Sequence, residues 1–328
     1  SGESSIPLKE VAKYPFAVTA MDIAVAPQDQ IPRMVVTDGE RIYLYKIVER
    51  TLEAEWTYRA DARGRVFSVQ LADLDGDGVL EVVVNSYNPN PAILLRSFVL
   101  TSRGGKPAVL ADEITDILLA VDANGDGVKK TLWIQPFAQS GFFKSGDVQR
   151  AVIRDGHVVP QGRVRVPSTF RATGATFSNI AGKASPRALA FVDEYSRLRI
   201  AVEAEDTWRS ATPVGGGGVK LEVMTQIERG GRSYIYTSEP MPLAVDLDGD
   251  GIEEIVVPQN QLPGRIAVVY KGPAGYRFQT IDSGFEGTVT ALGAIPGDDT
   301  PTLVVAVVRY QGLFNTSGET QIIMTTPD

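Results

Sequence analysis

The feature that most limits the folds open to this chain is an internal repeat. Residues 71–85 read LADLDGDGVLEVVVN, residues 120–134 read AVDANGDGVKKTLWI, and residues 244–257 read AVDLDGDGIEEIVV. Each joins an apolar approach to an acidic, glycine-bearing loop and then to a β-branched run. The leading acids of the first two, Asp73 and Asp122, stand 49 residues apart. Steps of similar length find fainter copies at residues 20–36, 176–192 and 291–305, which makes six units. Self-similarity at such an interval marks stacked supersecondary units, none of which can bury its apolar face alone.

Each unit carries four short strand-like runs. In the first they are residues 17–23, 33–36, 41–48 and 51–58, with Asp38-Gly39 as a hairpin turn between the second and third. Alternation with a period of two is plain in RIYLYKI and TLEAEWTY, and no helical period is sustained. Units of this length with four strands predict propeller blades. The fold expected is therefore all-β: a six-bladed β-propeller of four-stranded antiparallel blades. The sixth unit supplies three runs, at residues 289–294, 302–308 and 321–325, while residues 6–12 precede the first unit without partners. The N-terminal run is expected to complete the last blade, closing the ring and removing two open sheet edges.

Residues 160–173 and 215–237 exceed the repeat and read as insertions between blades of a single domain spanning 1–328. Seven blades is the alternative, if the second excess adds a unit. Gly215–Gly218 is expected to be a flexible loop. Trp56 and Trp208 hold equivalent places in their units, which points to blade-to-blade packing.

The acidic loops have their own chemistry. Asp73, Asp75, Asp77 and Glu81 occupy positions 1, 3, 5 and 9 of one loop, and Asp246, Asp248, Asp250 and Glu254 repeat the spacing. Carboxylates packed so closely repel unless a cation lies among them. Hard oxygen donors in this number suit Ca²⁺, with the carbonyls of Val79 and Ile252 as further ligands at position 7. Position 12 is Val84 or Val257, in strand-like runs, so these are not EF-hands. The third loop offers Asp122, Asn124, Asp126 and the carbonyl of Val128, but Lys130 replaces the closing acid. That loop is a poorer site, short of one ligand and burdened with a competing cation.

LADLDGDGVLEVVV and AVDLDGDGIEEIVV resemble FG-GAP/VCBS-type repeats, the propeller units also found in integrin α-subunit heads. The resemblance implies Ca²⁺ loops joining the first and second strands of a blade, with Asp73, Asp75, Asp77 and Glu81, then Asp246, Asp248, Asp250 and Glu254, as ligands. The literal Phe-Gly and Gly-Ala-Pro tags are absent, so an integrin-like role is not implied. Such repeats are common in bacterial surface and periplasmic proteins. An extracytoplasmic location follows as an expectation, with a leader removed ahead of Ser1.

Composition narrows the function. The chain has 40 acidic against 32 basic residues, a net charge of −8, no Cys and one His. Nucleic-acid binding lacks its basic footprint. Thiolate chemistry and multi-His metal centres are excluded, and no apolar run is long enough to cross a bilayer as a helix. His157 sits beside an Asp-Gly turn and reads as a solvated side chain. No nucleophile triad or phosphate loop is present. The loops between second and third strands, on the face opposite the acidic loops, are long in four units and rich in amides and aromatics. Tyr87, Asn88, Phe142, Phe143, Gln259, Asn260, Tyr310 and Phe314 are the candidate contacts there for a protein or glycan partner. The reading is a non-catalytic, calcium-binding interaction or scaffolding module. Its rivals are a glycan-binding, lectin-like propeller and a polysaccharide lyase or hydrolase.

Overall fold

A computed structural model describes residues 6–61, 64–88, 95–138, 142–143, 147–224, 230, 233–261, 264–281, 285–312 and 317–326. Strand β1 (Leu8–Tyr14) opens the chain. Blade one follows as β2 (Ala20–Val25), β3 (Pro32–Thr37), β4 (Arg41–Val48) and β5 (Thr51–Arg59). Blade two is β6 (Arg65–Ala72), β7 (Glu81–Tyr87), β8 (Ser97–Thr101) and β9 (Ala108–Ile114). Blade three is β10 (Asp116–Val121), β11 (Thr131–Ala138), β13 (Gln149–Arg154) and β14 (His157–Arg163), with the two-residue β12 (Phe142–Phe143) folded back on β11. Blade four is β15 (Ala175–Ser178), β16 (Ala188–Val192), β17 (Leu198–Val202) and β18 (Glu205–Arg209). A separate hairpin, β19 (Val219–Met224) with β20 (Ser233–Ser238), comes before blade five: β21 (Leu243–Val245), β22 (Glu254–Gln259), β23 (Arg265–Gly272) and β24 (Gly275–Ile281). Blade six is β25 (Thr288–Ile295), β26 (Thr302–Gln311) and β27 (Ser317–Thr325), and its fourth strand is β1.

Blades are antiparallel throughout, and β1 pairs with β27 from Leu8↔Thr325 to Tyr14↔Thr320. The N-terminal strand therefore closes the ring, as the leftover run predicts. The seven-blade alternative fails because residues 219–238 form only a two-stranded sheet outside the six blades. Of the first predicted insertion, residues 160–163 belong to β14, the outer strand of blade three.

Inner strands are apolar on both faces because each lies between its own blade and the next. Leu118, Leu119, Val83 and Val84 are all at most 1 % exposed. The core is accordingly split into clusters that lie between neighbouring blades. One gathers Leu44 and Trp56 of blade one with Leu71, Val82 and Leu100 of blade two. Trp208 of blade four meets Tyr276 of blade five, ring centroids 5.9 Å apart. Both tryptophans thus fill inter-blade clefts. They occupy matching places: β5, β9, β14 and β18 each carry a bulge at the same point of their pairing.

Side-chain amides fasten one blade to the next. Asn85 of β7 accepts from Leu118 N and donates to Leu118 O, both at 2.8 Å. Gln70 makes the same pair of bonds with Ala120, at 2.8 and 3.0 Å. Gln135 bridges Ala172 N and Phe170 O, and Asn260 bridges Val289 N and O. Asn85, Gln70 and Asn260 each present one donor and one acceptor to an inner-strand backbone, and Gln135 does the same to the connector ahead of β15.

The hairpin has a defined seat. Leu221 and Tyr236 join the large cluster around Trp133, Phe170 and Phe191, and the Tyr236 hydroxyl lies 2.6 Å from Thr173 Oγ1. Its two ends cross the mouth of the central channel. Ser238–Met241 packs against Thr19–Met21, Phe67–Val69 and Thr290–Leu292, the N-terminal ends of three inner strands, leaving a cavity of about 30 Å³. Gly215 is no flexible loop: it receives Asn260 N and donates to Pro258 O, in register beside β22. Its φ of +75° favours glycine, and a Cβ there would displace the Glu239 carboxylate.

Candidate metal centres and the opposite face

The two complete acidic loops connect the first strand of a blade to the second, on the face away from the hairpin. In blade two, Asp73, Asp75, Asp77 and Glu81 each bring a carboxylate oxygen within 4.8 Å of the others; Asp246, Asp248, Asp250 and Glu254 do the same in blade five. The loop backbone folds around its own acids. Gly78 N donates to Asp73 Oδ2 at 3.2 Å, and Val79 N to Asp77 Oδ1 at 2.9 Å. Gly251 N donates to Asp246 Oδ2 and Ile252 N to Asp250 Oδ1, each at 2.8 Å. The position-9 acids reach back to the loop start: Leu74 N donates to Glu81 and Leu247 N to Glu254, at 2.9 and 2.7 Å. Each loop is also braced by the preceding blade. Gln28 N donates to Gly78 O, and Asn179 bonds both Gly251 O and Glu253 N.

Electrostatically these clusters are unfinished. Asp73 and Glu81 are 3 % and 1 % exposed, and Asp73 Oδ1 is buried with no hydrogen-bond partner. Burial, reinforced by the charge of Asp75, pushes the Glu81 carboxyl up to about 8. Burial likewise pushes Glu254 up to about 7, with the charge of Asp248 adding to it. Asp73 is raised too, chiefly by burial. An orphaned buried oxygen amid mutually repelling carboxylates is what a bound cation would satisfy. The residues present fit a metal ion in both loops.

The loops differ in their surroundings. Arg103, in the turn between β8 and β9, pairs with Asp75 and, at 2.8 Å, with Asp77. No such cation bridges the second cluster among the described residues. In the third loop, Asp126 N and Gly127 N bond the Asp122 carboxylate at 2.9 Å, and Lys130 Nζ stands 3.4 Å from Asp126 Oδ2. Asn124 is exposed, and Val128 packs toward the cluster between blades one and two. Three acids do not converge there. Lys130→Glu restores the closing acid and removes the cation, so calorimetric titration with Ca²⁺ should report one more site than in the parent chain. An unchanged stoichiometry would mean that Asn124 and the loop backbone, not position 9, limit the third loop.

On the opposite face the predicted contacts divide. Gln259 is 1 % exposed, accepts from Thr280 Oγ1 at 2.8 Å, and serves the sheet interior. Asn260 holds Gly216 O and the Val289 backbone. Asn88 is 6 % exposed, and Tyr87 packs edge-on to Phe67. Tyr310 is half-buried on β26, its hydroxyl proton held more tightly by burial. Phe142 and Phe143 pair through the backbone with Ala138 and Phe137, and Phe314 lies outside the described residues. Sequence reasoning missed that several of these amides brace the ring. The signal was their recurrence at the ends of second strands in different units, at Asn85, Gln135 and Asn260.

Neither a protein-family model nor a curated protein matches the sequence. Solved structures do match in shape. A glucose dehydrogenase chain superposes with a TM-score of 0.54 at 9% identity, covering 98% of this chain and 99% of that one. Saccharomyces cerevisiae Sqt1 gives 0.50 at 9%, with both chains fully covered. BBS1N, solved in complex with ARL6DN, gives 0.50 at 12%, with 98% of each covered. At such identities the likeness is one of fold. The chain is a six-bladed β-propeller carrying two acidic clusters able to hold a metal ion.

Proposed function

We propose that this propeller is a calcium-stabilised, non-catalytic protein-interaction module working outside the cytoplasm. The observation that supports an interaction surface is that Ser238–Met241 lies beside the inner strands on the long-loop face. Where the inner strands converge on the long-loop face, Ser238–Met241 leaves about 30 Å³, far below the roughly 300 Å³ of a small-molecule site. That cavity is too small to hold a small-molecule substrate.

Calcium is the ion of choice because the donors are carboxylates and backbone carbonyls, with no nitrogen or sulfur ligand to favour zinc or copper. Exposed loops of this kind bind extracellular Ca²⁺ with dissociation constants on the order of 10⁻⁴–10⁻³ M, filling where the ion is abundant. BBS1N, of the same fold, was captured in complex with ARL6DN; a partner across one face is a use the architecture allows. The test is capture of envelope proteins on the immobilised chain with Ca²⁺ and with EDTA, run beside a glycan array. A saturable protein partner retained in Ca²⁺ supports the module. Glycan binding with no protein retained would replace it with the lectin-like reading.

A further inference from the structure

A groove of about 490 Å³ opens between blades two and three, beside the first acidic loop. Its origin is legible by comparing clefts. After the shared outer-strand bulge, blades one and four place Trp56 and Trp208, whereas blade two places Ala111. Opposite, where blade two presents Leu100 to Trp56, blade three presents Ala151. Two large side chains are thus replaced by two alanines, of which Ala151 lines the groove and Ala111 lies buried in the same cluster. Its volume falls within the usual range for small-molecule sites.

The lining specifies a ligand class. Its apolar wall is aliphatic, from Leu74, Leu110, Leu132, Ala151 and Ile153, and no aromatic ring is present for a sugar or aromatic ligand to stack on. Arg150 lines the groove, and its guanidinium has no hydrogen-bond or ion-pair partner among the described residues. Its planar fork matches a carboxylate. Lys130, the second cation of the lining, has only a half-exposed contact with Asp126. Asp75 and Glu81 form the remaining charged wall. Asp75, although paired with Arg103, keeps negative charge at this wall, and a cation in the loop offsets it further.

We propose that this groove binds a small aliphatic carboxylate, its chain against the leucines and its carboxylate on Arg150, with affinity that rises when the adjacent loop holds calcium. Only the calcium dependence rests on the metal reading above. Linkage is reciprocal, so the ligand in turn tightens calcium at that loop.

The probe is octanoate, titrated calorimetrically into the full chain in Ca²⁺, with octanamide as the neutral counterpart. Saturable octanoate binding is expected and octanamide binding is not. Arg150→Ala, at an exposed position, should weaken octanoate on the order of 10–100-fold, and Arg150→Lys should recover part of it. Ala151→Leu, which copies the packing of the closed cleft, should abolish it. The site is overturned if octanoate fails to bind the calcium-loaded chain, or binds Arg150→Ala as well as the parent. Equal octanoate affinity in Ca²⁺ and EDTA overturns the calcium linkage. Melting in EDTA without octanoate tests the metal reading by itself, so the two failures are distinguishable.

Discussion

Removal of divalent cations with EDTA should lower the melting temperature of this protein, and added Ca²⁺ should restore it. At a free concentration ten times the dissociation constant, each site contributes roughly 1.4 kcal/mol, so two sites contribute about 3 kcal/mol and shift the midpoint by roughly 4 °C. Asp75→Ala combined with Asp248→Ala should abolish the shift, since each removes a carboxylate from one of the two clusters. A melt that ignores EDTA would refute calcium binding in both loops.

The same clusters set a pH dependence whose sign follows from burial. In the metal-free chain Glu81 titrates near 8 and Glu254 near 7, against 4.5 for an unperturbed side chain. The folded state therefore holds more protons than the unfolded state between these values, and its stability falls as pH rises through that window. Below about pH 4.5 the contribution is fully present; above about pH 8 it is lost. Calcium should cancel the fall, because the ion replaces the protons. Calcium affinity should rise over the same window, since binding must displace them. Thermal melts near pH 5 and pH 8, with and without Ca²⁺, measure both effects. Greater metal-free stability at the higher pH would contradict the burial argument.

Asn85→Leu is the substitution expected to damage the ring most for its size. The Asn85 side chain is 2 % exposed and bonds the Leu118 amide and carbonyl as well as Ser68 and Ser97. Leucine keeps the branched shape, though it is bulkier, and leaves the Leu118 backbone groups and both hydroxyls buried without that partner. The expected loss is about 3–5 kcal/mol, the sum of several stranded polar groups in a dry cleft. Chemical denaturation with an unchanged denaturant slope would report it. Asn260→Leu should cost less, because Asn260 is more exposed and solvent can replace part of what it loses. A loss below about 1 kcal/mol at Asn85 would show that apolar packing alone joins blades two and three.

Much of the architecture is local and so was legible. Alternation in residues such as RIYLYKI dictates strands, the Asp-Gly pairs dictate turns, and the repeat dictates that blades stack. The unpartnered run at the N-terminus had to find an edge, and blade six offered the only unit short of a strand. The hairpin at residues 219–238 was visible as an excess, but its seat across the channel was not. That seat depends on Thr173, Gly174 and the ends of three inner strands, which come together only when the ring closes.

The spacing of Asp73, Asp75, Asp77 and Glu81 by itself determined that four carboxylates would share one turn, because the loop is short enough for its backbone to fix their directions. Only the tertiary structure decided that Glu81 is buried and Asp77 is not, that Asn85 and Asn260 brace neighbouring blades, and that Ala151 lines an open groove where Leu100 packs in the cluster of Trp56. Burial, charge coupling and shape complementarity belong to pairs of surfaces. Here the second surface is always on the next blade, tens of residues away in the chain.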